Sequence, residues 1–312
     1  VHLLDHRLLF VTGKGGVGKS SVAAALGLLA ASQGRRTLVC DLDDRGDIAD
    51  AYELAPLGFE PTEVTPGLAA MVMRTEESLK EYLRLQLRVP FAGRLGPLAR
   101  SFDFVAQAAP GVREVLSVGK LAWEVRAQHY DLVIADAPAS GHVVGQLAAP
   151  AAIRELVRVG VVRDQTEWVS SLLQDPSRTG AVLVTVAEEM PVTETLELAA
   201  RLERDARVSV AQVVVNRVLP ELFGRREAEV FEALKSAAAQ QVLLRELGPD
   251  AAVVIEGAEL ARALRATRAH FIDQLLAGLG PDVPVAYLPE LFTRAKGMRV
   301  TRMLAEALDD EL

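Results

Sequence analysis

The chain is short of cysteine, of lysine and of aromatic residues, and the first shortage removes whole classes of function. One cysteine, Cys40, among 312 residues excludes an intramolecular disulfide and any multi-cysteine metal site within one chain. Neither a thiolate zinc clamp nor a thiolate site for a soft metalloid can be assembled from it. Cys40 ends the apolar run TLVC and reads as a buried packing residue. Half the residues are hydrophobic and the mean hydropathy is +0.20. No uncharged apolar run reaches the roughly eighteen residues of a membrane span, so a soluble protein without stable membrane insertion is expected. Basic charge is scarce too. A net charge of -8 and a pI near 5.3 argue against nucleic-acid binding through phosphate contacts. The opening VHLLDHRLLFVTGK leaves no room for a signal peptide, and the closing DDEL reads as an acidic tail, so the expected compartment is cytoplasmic.

What is present is a regular alternation. Short apolar runs recur at LLFVTG (8–13), TLVCD (37–41), DLVIADA (131–137), AVLVTVA (181–187), AQVVVN (211–216) and VPVAYLP (283–289). Near-continuous apolar runs of this length suit strands covered on both faces. Helical patterns fill 20–34, 191–206 and 251–280. The expected fold is α/β, a doubly wound and mostly parallel sheet in a single domain over 1–312. Residues 53–130 break the rhythm. Helices are expected at 77–89 and 110–128, and LAAMVM (68–73) is the sole strand candidate, so this region reads as a helical insertion.

GKGGVGKS (13–20) has Walker A spacing, with an apolar strand before it and an apolar helix after it. Gly13, Gly15, Gly16, Val17 and Gly18, with Lys19, Ser20 and Ser21 opening the helix, are the expected cradle for the phosphates of ATP. Lys19 would pair with the β- and γ-phosphates, and Ser20 would offer its hydroxyl to Mg²⁺. The loop holds a second lysine, Lys14, in a chain with only six lysines against twenty-eight arginines. DLVIADAPASGH (131–142) is a Walker B arrangement in which Asp136 would hold Mg²⁺ through water. The backbone N–H of Gly141 suits a γ-phosphate. Asp41 ends the second strand and is a further candidate for Mg²⁺ through water. In VVVNRV (213–218) the amide of Asn216 can both donate to and accept from an adenine edge, although an asparagine also commonly just terminates a strand.

With Lys14 the loop resembles the deviant Walker A of SIMIBI-class P-loop ATPases, and the chain is similar to the ArsA/Get3 family, in particular to its ArsA-like actinobacterial members. DLDDRGDIADAY (41–52) aligns with the family's D-P-A-H-N-L-S-D-A-F, Asp43 taking the first aspartate's place. DAPASGH matches D-T-A-P-T-G-H at Asp136, Gly141 and His142. The resemblance implies that Lys14 reaches across a dimer interface to the partner's nucleotide, like an arginine finger. It also implies that Asp43, in switch I, orients or deprotonates the attacking water, and that Gly141 and His142 belong to switch II. Asn216 would read adenine, with LPELFTRAKG (288–297) looping over the base. Asp44, Arg45, Gly46 and Asp47 stand where the family has Pro, Ala, His and Asn. The resemblance further implies a homodimer, or a heterodimer with a paralogous ATPase, and a hydrophobic-helix protein client on the insertion. The apolar residues of the insertion equally suit packing among its own helices. One P-loop, no CxxC pair and no cysteine cluster argue against zinc and against an arsenite-pump subunit. The rival readings are a MinD/ParA-like positioning ATPase and a regulatory subunit with little hydrolysis of its own.

Overall fold

A computed structural model describes residues 2–87, 111–156 and 161–312. Strand β1 (Leu8–Gly13) feeds the glycine loop and α1 (Lys19–Ser32). There follow β2 (Thr37–Asp41), α2 (Asp47–Ala51), β3 (Thr62–Thr65), β4 (Leu68–Val72), α3 (Thr75–Leu87) and α4 (Val112–Ala127). Next come β5 (Leu132–Asp136), α5 (Ser140–Leu156), α6 (Val161–Leu173), β6 (Thr179–Val186), α7 (Glu189–Arg201) and β7 (Val210–Val218). The chain ends with α8 (Arg225–Leu234), α9 (Ala237–Leu247), α10 (Asp250–Gly278), β8 (Val285–Pro289) and α11 (Met298–Glu311).

Among the described residues eight strands form one sheet, ordered β3-β4-β2-β5-β1-β6-β7-β8. Every neighbouring pair is parallel except β3–β4. The central strands are buried on both faces and alternate between two cores. Leu9, Val11, Val39, Ile134 and Val182 join α1 and α11 on one side. Leu8, Phe10, Cys40, Val133 and Leu183 join α4, α5 and α7 on the other. This is the period of two in a covered strand. Each such leucine or phenylalanine contributes about 1.5–3 kcal/mol by leaving water. The result is the doubly wound, mostly parallel sheet expected from the alternation.

The 53–130 stretch is not helical throughout. β4 pairs with β2 from Thr37↔Leu68 to Asp41↔Val72, and β3 runs antiparallel along its free edge. β3 gave no signal because TEVT lies at the rim of the sheet and is exposed or half-buried, so nothing selects an apolar run there. The helical part begins at α3. Of the apolar residues expected to line a groove, Phe91 to Val105 fall outside the described residues. α3 is tied to α4 by Lys120, which pairs with Glu81 of α3 and Glu124 of its own helix, each at 2.7 Å.

A second group of helices, α8 to α10, connects β7 to β8. α10 is 29 residues long, yet Leu275 is its sole fully buried residue. Val253, Val254, Leu260 and Leu264 are exposed on it, and Val242, Leu244 and Leu247 are exposed on α9.

α1 must lie close to the sheet to bring the P-loop over the strand ends. Gly27 permits this, since a Cβ there would fall 2.4 Å from Val39 Cγ2 and 2.8 Å from the Tyr52 hydroxyl. That hydroxyl donates to the Ala24 carbonyl at 2.8 Å. Gly27→Val should therefore overpack the contact and cost about 1–3 kcal/mol; a urea midpoint equal to that of the parent would show that the helix has room to move.

Candidate functional site

Parallel strands deliver their C-terminal ends to one edge of a sheet, and ligands bind there where the strand order reverses. β1 is flanked by β5 and β6, so the loop after it opens at this edge. The P-loop winds through left-handed backbone at Gly16 (φ 86°) and Gly18 (φ 96°), which glycine adopts without strain. Gly13 passes so close to β6 that a Cβ would lie 2.1 Å from the Val184 carbonyl oxygen. Lys19 and Ser20 then open α1, where backbone N–H groups have no intrahelical partner.

A cavity of about 700 Å³ lies over this turn. Gly16, Gly18, Lys19, Ser20 and Ser21 line it on one side, and Ala295, Lys296 and Gly297 on another. The 288–297 loop thus reaches the cavity. The structure adds Arg45, Asp47, Asp50, Glu53 and Arg217 to the lining. Both VVVNRV and the 288–297 loop stood out in the sequence, but the charges of Arg217 and Lys296 did not, because their proximity to the P-loop arises from strand pairing and not from a local motif.

Asn216 lies two residues before the end of β7 and does not terminate the strand. Its Nδ2 donates to the Val17 carbonyl at 2.9 Å, and its Oδ1 accepts from the Arg217 N–H at 2.9 Å. The side chain is buried and braces the P-loop from beneath, so close that a Cβ at Gly18 would sit 2.4 Å from Nδ2. Lys19 rests with Nζ 3.4 Å from the Lys14 carbonyl oxygen. Burial lowers its pKa, Asp136 opposes that shift, and Arg45 adds to it. Lys14 forms an ion pair with Glu194 of α7; both side chains remain about one-third exposed.

Asp41 and Asp136 are register neighbours on β2 and β5, both buried. Asp41 Oδ1 accepts the N–H groups of Asp43 and Asp44 at 2.9 and 3.0 Å, which fixes the start of the switch I loop. Asp41 Oδ2 and Asp136 Oδ1 are buried without a hydrogen-bond partner among the described residues. Burial raises the pKa of Asp136 to about 7; Asp41 adds to the rise, while the Ser20 hydroxyl and Lys19 oppose it. Burial raises that of Asp41 as well, against its amide bonds. Two unmatched carboxylate oxygens beside a serine hydroxyl make a hard oxygen donor set, the kind that suits Mg²⁺. No group of three or more His, Cys, Asp or Glu forms a metal cage among the described residues.

Asp43 and Gly141 lie on a neighbouring cavity of about 440 Å³, together with Leu42, Arg113, His142 and Gln146. The two expected switch segments therefore meet, with helix α4 of the insertion as a third wall. Gly141 is the second residue of α5, so its N–H is free of intrahelical bonding. Asp43 Oδ2 stands 3.3 Å from Arg45 Nε.

The sequence matches the family model of the anion-transporting ATPases, ArsA_ATPase, over residues 6–165 and 156–248. The chain belongs to the ArsA family. ATPase BagA of Mycobacterium tuberculosis is 34% identical over 225 residues, covering 69% of this chain and 66% of BagA. This chain thus spans just under two thirds of that relative. The putative arsenical pump-driving ATPase 2 of Aquifex aeolicus is 25% identical over 261 residues, 72% of this chain and 86% of its own. The ATPase ASNA1 homolog of Entamoeba dispar is 24% identical over 261 residues, 70% and 79% of the two chains. Membership of the ArsA family accounts for the P-loop ATPase domain. Among the described residues no helix is long and apolar enough to cross a membrane.

Two outcomes follow from this geometry. Asn216→Leu removes the donor to the buried Val17 carbonyl and should destabilise the protein by about 1–3 kcal/mol. If ATP-over-GTP preference stays unchanged in that variant, Asn216 braces the loop and does not read the base. The second outcome concerns Asp136. At low pH its carboxyl is protonated in folded and unfolded chains alike. Between the unfolded value near 3.9 and the folded value of about 7, only the unfolded chain ionises, so the stability of metal-free protein falls as pH rises. Asp136→Asn should match the parent near pH 4 and exceed it by about 2–4 kcal/mol at pH 8. Parallel stability curves for the two proteins in chelator would remove the argument.

Proposed function

We propose that this chain binds ATP with Mg²⁺ at the P-loop and hydrolyses it as a two-subunit nucleotide switch that serves a protein client or partner. The observation that carries the reading is the Lys14–Glu194 ion pair. In a single chain the second lysine of the loop is occupied by its own α7. A partly exposed pair of this kind is worth about 0–1 kcal/mol, so the triphosphate of an apposed subunit would compete for Lys14 readily.

Each residue then has a task. Lys19 neutralises the β- and γ-phosphates, and the N–H groups of Gly16, Gly18 and Ser21 hold them. The Ser20 hydroxyl would hold Mg²⁺ directly and Asp136 and Asp41 would hold it through water, and the ion would supply positive charge beside the phosphates. Asp43 orients the attacking water and accepts its proton. As the water oxygen bonds to the terminal phosphorus, the bridging bond breaks and its electron pair leaves with ADP. Lys14 of the apposed subunit and the N–H of Gly141 stabilise the negative charge that develops. Closure and reopening would then be felt at α4, which walls the cavity between the switches. The partner half of the reading is supported by the apolar side chains left in solvent on α9 and α10, more than folding requires. The second subunit is either another copy or a paralogous ATPase.

Steady-state phosphate release and sedimentation on the purified chain test this reading. Lys19→Ala and Asp136→Ala should lose turnover. Lys14→Ala should keep ATP binding while turnover drops about 10²- to 10⁴-fold. Glu194→Gln should raise the fraction of ATP-dependent dimer by freeing Lys14. Full turnover in Lys19→Ala would remove the site assignment, and undiminished turnover in Lys14→Ala would remove the two-subunit mechanism.

A further inference from the structure

Switch I departs from the family's pattern most visibly at Arg45, and the structure shows where that departure leads. Arg45 lines the same cavity as Lys19 and Ser20. It sits between two residues in left-handed backbone, Asp44 (φ 52°) and Gly46 (φ 83°). The turn is pinned from below, because buried Asp41 accepts the N–H groups of Asp43 and Asp44. A loop anchored at its base to a buried carboxylate has little freedom in its backbone, so the side chain is held at the mouth of the site. Its exposure of 65% leaves the guanidinium itself free to swing.

The cations of the cavity divide by position. Arg217 and Lys296 border it on the side of β7 and the 288–297 loop. Lys14 is engaged by Glu194. Arg45, whose own pair is with Asp43, lines the cavity together with Lys19. They are near enough for the charge of Arg45 to act on Lys19. Asp47, Asp50 and Glu53 line the same cavity, while Asp43, the ion-pair partner of Arg45, faces the neighbouring one, so Arg45 stands at the boundary between the P-loop and the cavity that holds Asp43.

We propose that Arg45 is a second cation for the terminal phosphate, supplied by the same chain, and that it leaves Asp43 when the phosphate arrives. The 3.3 Å contact between Arg45 Nε and Asp43 Oδ2 is a single, solvent-facing ion pair, which is weak. A phosphate oxygen pair offers the guanidinium two parallel charge-assisted bonds and is the stronger acceptor. The exchange has two consequences. The terminal phosphate gains a planar donor that ADP cannot engage, and Asp43 gains a free carboxylate oxygen for the attacking water. Arg45 thus couples recognition of the third phosphate to release of the residue that positions water. It also provides charge in an isolated subunit, where Lys14 of a partner is absent. The inference rests on the ATPase reading of the site and adds a route within one chain to it.

The test uses the full chain with Arg45→Ala and Arg45→Lys, each alone and combined with Lys14→Ala. Affinities for Mg-ATP and Mg-ADP are measured by titration calorimetry, and phosphate release is followed across protein concentrations. Arg45→Ala should weaken ATP about tenfold or more while leaving ADP unchanged, and should lower turnover even at dilutions where the chain sediments as a monomer. Arg45→Lys should restore part of the charge but not the two-bond geometry, recovering affinity more than turnover. A thermal midpoint equal to that of the parent separates this from a folding defect. An unchanged ATP-to-ADP ratio in Arg45→Ala overturns the proposal, as does a turnover loss confined to concentrations at which dimers form. If the parent itself binds no ATP, the ATPase reading falls, and the proposal falls with it.

Discussion

Two buried acids side by side set the terms for the rest of the molecule. Asp41 and Asp136 stand at paired positions on adjacent strands, with an unmatched oxygen on each. Such a pair is costly to bury as two charges without a cation, and the protein answers with protonation, with amides and with lysine. Asp41 draws in the amides of switch I. Asp136 holds its proton to about pH 7 and lies within the field of Lys19. The cost is tolerable because the surrounding sheet is covered on both faces and resists collapse around the defect. Two buried carboxylates with unmatched oxygens make a site prepared for a charged ligand.

The same logic extends outward to the mobile charges. Lys14 and Arg45 each rest on a carboxylate of their own chain, Glu194 and Asp43, through solvent-facing contacts that a phosphate can replace. Neither cation is left free, and neither is held strongly. For the proposed nucleotide switch this would be useful, because the difference between states would then depend on the ligand and not on a large internal barrier. The position of Glu194 matters here. It belongs to α7, which packs on the core beneath β1 and β6, so a charge exchanged at the P-loop is transmitted to an element shared by two strands. On the other side, α4 links the switch cavity to the helices that precede it. The exposed apolar side chains of α9 and α10 hang from β7, whose last residues brace the P-loop through Asn216.

Much of this was legible in the order of residues. The interior strands announced themselves as apolar runs, because burial on both faces demands them, and β8 at one edge did so because it buries Ala286 and Leu288. β3 at the other edge did not, since TEVT is exposed or half-buried throughout, and α8 and α9 were obscured because Val230, Val242, Leu244 and Leu247 face solvent. The P-loop was plain from spacing alone, since its function requires consecutive backbone amides and therefore a contiguous motif. For Asn216 the residue was found, but its partner was not. A strand-end amide is equally suited to a base or to a carbonyl, and only the path of the chain brings the Val17 carbonyl, 199 residues away, within its reach.

By itself the sequence determined most of the sheet and the phosphate loop, because each is written in neighbouring residues or in a short period. Tertiary structure alone decided which charges meet. The partner of Lys14 lies 180 residues further along the chain, and Arg217 and Lys296 reach the cavity through the pairing of β7 with β8. Electrostatic contacts depend on distance in space and fall away over a few ångströms, whereas a sequence records only distance along the chain.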